Sequence, residues 1–129
     1  MRHWRLPAVF ALCLALAACA NAPAELEVRG SGPDGCEYSG PSEISNGSVE
    51  LLASPSGLGH ILAVVYRLEA LPTDGQIGDG DLGEIMATVE NEDDVNLARR
   101  SEELDPGDYA VACVHGSFDG VVGTFTVLP

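Results

Sequence analysis

The chain has 129 residues, 46% hydrophobic and 20% charged, which is enough apolar material for one packed domain. Twenty acids oppose six bases, all of them arginine, for a net charge of −14. That balance excludes the basic surface a nucleic-acid binder needs, and excludes polybasic attachment to anionic lipid.

Met1–Arg5 carries two arginines and no acid, and Leu6–Leu16 is an apolar run. Leu16-Ala17-Ala18-Cys19 follows. Charged, apolar and small-residue regions in that order predict a secretory signal. The run is shorter than the roughly 20 apolar residues a membrane-spanning helix needs. Leu16-Ala17-Ala18-Cys19 closely resembles the lipobox of bacterial lipoproteins. The resemblance implies cleavage after Ala18 and lipidation of Cys19, which then becomes the N-terminus. It implies an exported protein anchored to a bacterial membrane, the outer membrane in a Gram-negative cell because Ala20 rather than Asp follows. Several acyl chains together hold a protein on a bilayer where one binds only marginally. The plainer alternative is a signal that merely ends near a cysteine.

Ala20–Gly35 is rich in Ala, Gly, Pro, Ser and acids, and reads as a flexible tether. Leu26–Arg29 could form a short edge strand within it. The expected organisation is a signal peptide over 1–18, a lipidated Cys19 and tether over 19–35, and a folded domain over 36–129.

Cys36 and Cys113 are the cysteines left once Cys13 leaves with the signal and Cys19 takes lipid. Two cysteines in an exported chain predict a disulfide, with a thiol metal site or free thiols as alternatives. The loop of about 78 residues would gain roughly 4–5 kcal/mol in the chain-entropy model, an upper bound.

Cys36–Ser39 reads as extended, Ser45-Asn46-Gly47 as a turn and Ser48–Ala53 as a strand. A turn over Ser54–Gly59 leads into His60–Glu69, the longest β-rich run. Its apolar residues occupy both faces at first and then alternate, as in a central sandwich strand. Ala70–Gly80 is a loop. Asp81–Asn91 places Leu82, Ile85, Met86 and Val89 at helical spacing, with Asp81 as N-cap and Glu84 completing a capping box. One short helix is expected there, with the acidic run Glu90–Asp94 at its solvated end. Val95–Glu103 is weakly extended, and Leu104–Asp108 is a strong turn. Tyr109–His115 and Val121–Leu128 are strands around a Gly116–Gly120 turn. Tyr109, Val111 and Cys113 should share one face, and Val122, Thr124, Thr126 and Leu128 another. The predicted fold is mainly β: a Greek-key β-sandwich, cupredoxin-like or immunoglobulin-like, with one short inserted helix.

Pro106-Gly107-Asp108-Tyr109, then Cys113, then Gly123-Thr124-Phe125-Thr126-Val127, resembles the C-terminal hairpin of cupredoxin-like domains. Cys36–Pro41 and Gly47–Leu51 extend the likeness, and Gly59-His60 stands where that family often carries its first histidine ligand. The resemblance implies the sandwich fold. A copper site would draw on His60, Cys113 and His115. One residue separates Cys113 from His115, and no methionine follows Cys113, so the copper site is incomplete.

Asp79, Asp81 and Glu84 could form a weak surface calcium site, although Asp74–Glu84 does not fit the EF-hand template. The plainer reading is a solvated loop with a helix cap. His115, Ser117 and Asp119 crowd one turn, which rarely gives triad geometry. Phe118 is the aromatic most expected to be exposed. No cofactor and no enzyme activity are expected. The leading expectation is a membrane-anchored envelope lipoprotein acting as a non-catalytic binding or structural module, with an envelope protein as partner. The alternative is a cupredoxin-like copper-binding or electron-transfer protein.

Overall fold

A computed structural model describes residues 22–54, 59–70, 72, 74–92 and 95–129. Among these, strands β1 (Ala24–Gly30), β2 (Cys36–Ser39), β3 (Glu43–Ile44), β4 (Ser48–Ser54) and β5 (Ile61–Leu68) are followed by β6 (Leu82–Asn91), β7 (Ala98–Glu103), β8 (Gly107–His115) and β9 (Phe118–Val127). They form a four-stranded sheet in the order β2-β1-β4-β7 and a five-stranded sheet in the order β3-β9-β8-β5-β6. The molecule is a β-sandwich, as its alternating segments and turn signals predict. Pairing is antiparallel except for β1 with β4 and β3 with β9.

The sheets meet through residues two apart along each strand. Leu26 and Val28 of β1 and Val49, Leu51 and Ala53 of β4 face Ile61, Ala63 and Val65 of β5 and Tyr109, Val111 and Cys113 of β8. All are fully or almost fully enclosed. Each large apolar side chain buried this way contributes about 1.5–3 kcal/mol relative to exposure.

The tether expected over 19–35 is corrected within its described part. β1 lies inside the four-stranded sheet, hydrogen-bonded to β2 on one side and β4 on the other. Its polar composition hid the strand, because only alternate positions are apolar. Leu26 and Val28 point inward, while Glu27 and Arg29 point out and pair with each other at 2.6 Å.

The helix expected over Asp81–Asn91 is also corrected: Leu82–Asn91 is the ten-residue strand β6. Its pairing with β5 shifts register on either side of Tyr66. An irregularity in a ladder changes which side chains face inward. Ala87, Val89 and Asn91 then alternate into the core, while Ile85 points outward. Two strand phases joined by a bulge therefore reproduce the 3,1,3 spacing of a helix. The β-branched Ile85, Thr88 and Val89 also favour extended backbone, and Gly83 weakens a helix. Among the described residues helical structure is confined to a single 3₁₀ turn at Asp79–Asp81. There the Asp81 carboxylate accepts from the Gly78 N–H at 2.9 Å, in place of the expected cap.

The β8–β9 hairpin is tighter than expected. His115 pairs with Phe118, leaving only Gly116 and Ser117 in the turn. Gly116 has φ 61° and Ser117 has a negative φ, as a two-residue type II′ turn requires. Phe118 is half-buried against the core. A bulge opposite Val111 and Ala112 gives β9 one extra residue, Val122. Val122 therefore packs inward, away from the outward Thr124 and Thr126, and Phe125 and Val127 fill the core.

Tyr109 anchors the entry to this hairpin. Its ring stacks on Phe125 at 5.2 Å, and the Arg67 guanidinium lies 5.8 Å from its centroid. Its hydroxyl donates to the Asp105 carbonyl at 2.5 Å, a tyrosine corner across Leu104–Asp108. Tyr109→Phe keeps the stacking and removes that bond. Urea unfolding should show a loss of about 1–2 kcal/mol, the cost of one unmet partly buried acceptor. An unchanged midpoint would show that the corner contributes nothing to stability.

Candidate functional site

Cys36 and Cys113 are joined by a disulfide, with Cα atoms 6.4 Å apart. The bond runs from the outer strand β2 of one sheet to β8 inside the other. Around it the β1–β2 turn grips the β8–β9 turn. His115 is 1% exposed, and its Nδ1 and Nε2 each lie 3.0 Å from a carbonyl oxygen, of His60 and Gly32 respectively. The Ser117 N–H donates to the Asp34 carboxylate at 2.7 Å. A Cβ at Gly116 would lie 2.1 Å from the Pro33 carbonyl oxygen, so no larger residue fits.

These contacts dismantle the candidate copper set. The Cys113 sulfur is bonded to Cys36, and both His115 nitrogens face backbone carbonyls. His60 is half-exposed, with Nε2 3.6 Å from a Glu90 carboxylate oxygen. The candidate calcium set does not assemble either. Among the described residues no three His, Cys, Asp or Glu side chains converge as metal ligands. Asp81 is occupied with the Gly78 N–H, Asp79 stands in the 3₁₀ turn, and Glu84 lies on β6. His115, Ser117 and Asp119 do not form a triad. His115 points into the core, and Asp119 pairs with Val114 on the opposite face. Cys19 and the signal segment lie outside the described residues.

Tyr38 covers the far side of the hairpin. Its ring occupies the space where a Cβ at Gly123 would sit, at 2.2 Å. Burial pushes its phenol up to about 12.

The surface that sequence reading did not single out is the outer face of the five-stranded sheet. Leu62, Val64 and Tyr66 of β5 point there, as do their partners Val114, Ala112 and Ala110 of β8. Val121 of β9 lies beside Ala112, and Ile85 of β6 lies beside Tyr66. Residues 74–81 lie on this face and set Ile77 there. Ile77, Tyr66, Leu82, Ala112 and Val121, with Asp79, Asp119 and Gly120, enclose a cleft of about 460 Å³. Its apolar residues are buried or half-buried, most of its accessible lining is polar, and its two carboxylates, Asp79 and Asp119, are exposed. Past Tyr66 the surface runs on to Ile85, which is 54% exposed. The signal for this face was present in His60–Glu69, where apolar residues occupy both sides of the strand.

No family model matches the chain, and neither a curated protein nor a solved structure matches it.

The bond from Ser117 holds the Asp34 carboxyl below its ordinary value, first through the Ser117 N–H and then through its hydroxyl. A carboxyl depressed in the native state stabilises the fold above its unfolded value, and that stabilisation is lost as pH falls through the native value. Asp34→Ala should therefore be less stable than the parent at neutral pH, and the difference should shrink below about pH 4. Denaturation midpoints of the two proteins across pH 2–8 check this, and a constant difference would refute it.

Proposed function

We propose that the protein is an exported, lipid-anchored module of the bacterial envelope that binds a basic protein partner and carries out no chemistry. The observation that carries the binding reading is the outer face of the five-stranded sheet, apolar at its centre and acidic at its rim. Exposed apolar surface framed by polar residues is characteristic of interaction sites. Charge selects the partner. Each described arginine already lies within 4.0 Å of an acid: Arg29 of Glu27, Arg67 of Asp105, Arg99 of Glu50 and Arg100 of Glu102. The large surplus of carboxylates has no cation within the chain to answer it. A basic partner supplies that cation, and is drawn in faster as well as held.

Two features support this compartment. Leu16-Ala17-Ala18-Cys19 supports acylation at Cys19, and the Cys36–Cys113 bond suits an oxidising space outside the cytoplasm. β1 begins at Ala24, five residues after Cys19. Even fully extended, that length spans roughly 15–20 Å. An acylated Cys19 would thus hold the sandwich close to the lipid surface, where a partner in the same membrane could reach it.

Metabolic labelling with a fatty acid tests the anchor. The wild-type chain should take up label and sediment with membranes, and Cys19→Ser should lose both properties. An unlabelled wild type, or a labelled Cys19→Ser variant, would overturn it.

A further inference from the structure

Among the described strands the sandwich has four edges, and three of them resist further pairing. β2 has four residues and β3 has two. β7 reads Ala-Arg-Arg-Ser-Glu-Glu, and its Arg99 and Arg100 are engaged with Glu50 and Glu102. Short length and charged side chains are the usual ways of blocking an edge. β6 is longer, and its charged side chains are Glu84 and Glu90 alone. It is ten residues long, carries no basic residue, and pairs only with β5 among the described strands. Its C-terminal end is closed by Asn91, whose side-chain amide donates to the Ala53 carbonyl at 2.8 Å and the Asn96 carbonyl at 2.9 Å. Among the described residues no strand pairs along the N-terminal portion of this edge, where Glu84 and Ile85 are both exposed.

We propose that this open edge of β6 accepts an added β-strand from the partner, a segment alternating basic and apolar residues. The proposal rests on the binding reading above and deepens it by naming the mode and the sequence class of the partner. Backbone hydrogen bonds along an open edge supply affinity, and alternate side chains supply selectivity. Strand alternation places every second side chain of the guest on the outer face, beside Ile85 and the Tyr66 cleft. Apolar residues fit that row. Glu84, next to Ile85 and on the other side of β6, calls for Arg or Lys in the alternate row. A second copy of the chain is the poorer guest. Antiparallel self-pairing centred on Ala87 sets Glu84 opposite Glu90 twice, and directly opposed like charges destabilise a pair.

The test uses the full chain carrying Cys19→Ser, so its result does not depend on acylation. The probes are four capped octapeptides: alternating Arg and Val, alternating Glu and Val, alternating Arg and Ser, and the first again with N-methyl groups on every second residue. Binding is read at about 0.15 M salt, where surface charges beyond about 8 Å are largely screened. The Arg/Val peptide should bind at least tenfold more tightly than each of the other three. The amides of β6 should gain protection from hydrogen exchange on binding. Ile85→Lys and Glu84→Lys, both at exposed positions, should each weaken binding at least threefold while leaving the unfolding midpoint close to the parent's. Equal binding of the N-methylated peptide would overturn strand addition. Equal binding of the Arg/Ser peptide would reduce the interaction to charge alone and overturn the apolar half of the proposal. Absence of binding, or concentration-dependent dimerisation abolished by Ile85→Lys, would overturn the proposal outright. None of these outcomes bears on fatty-acid labelling, so failure of the strand-addition mode and failure of the lipoprotein reading are separable.

Discussion

The two sheets are bound to each other at one end by a covalent bond, and the neighbouring contacts depend on it. Cys36 belongs to a four-residue strand at a sheet edge, which would hold weakly through four paired positions alone. The bond to Cys113 fixes that strand against β8, and with it the β1–β2 turn. The turn then delivers the Gly32 carbonyl to His115 and the Asp34 carboxylate to Ser117. A histidine that is 1% exposed is tolerable here because any N–H its ring carries meets a backbone oxygen. The close approach of Pro33 to Gly116 follows from the same placement. Covalent closure, polar satisfaction and a glycine without room for a side chain are three aspects of one junction.

Much of this junction was legible in the chain. The count of cysteines, on the expectation of export, pointed to Cys36 with Cys113. Pro106-Gly107-Asp108-Tyr109 marked the turn before β8, and the tyrosine corner closes across it. The regions that misled have a common physical basis. A strand one residue out of phase with itself looks like a helix, and β6 is such a strand because its ladder with β5 slips at Tyr66. A strand whose outward residues are charged looks like a linker, and β1 contributes only Leu26 and Val28 to the core. Neither error could be removed by local propensity. In both cases the deciding term was tertiary: the strand available to pair with, and the core space left to fill.

The outer face of the five-stranded sheet was partly legible for a different reason. β5 is apolar on both sides, and one side suffices for a sandwich core. The second apolar side is then either a site or a liability. The loop over 74–81 covers part of it by laying Ile77 near Tyr66, Ala112 and Val121. That loop also leaves a cleft, and it stops short of Ile85. A chain that elsewhere shortens or charges its edges has left uncovered the place where an apolar face and a long free edge meet.

Net charge explains why such a surface need not lead to self-association. At −14 the chain repels its own copies at long range, and Glu84 and Glu90 repeat that repulsion at the edge itself. The same carboxylates attract a cationic segment. Acidity therefore acts in opposite directions on the two possible guests of one strand, suppressing pairing with self and favouring pairing with a basic stranger. Discrimination of this kind requires a repulsive element against the wrong partner as well as contacts to the right one, and here one set of side chains serves both purposes.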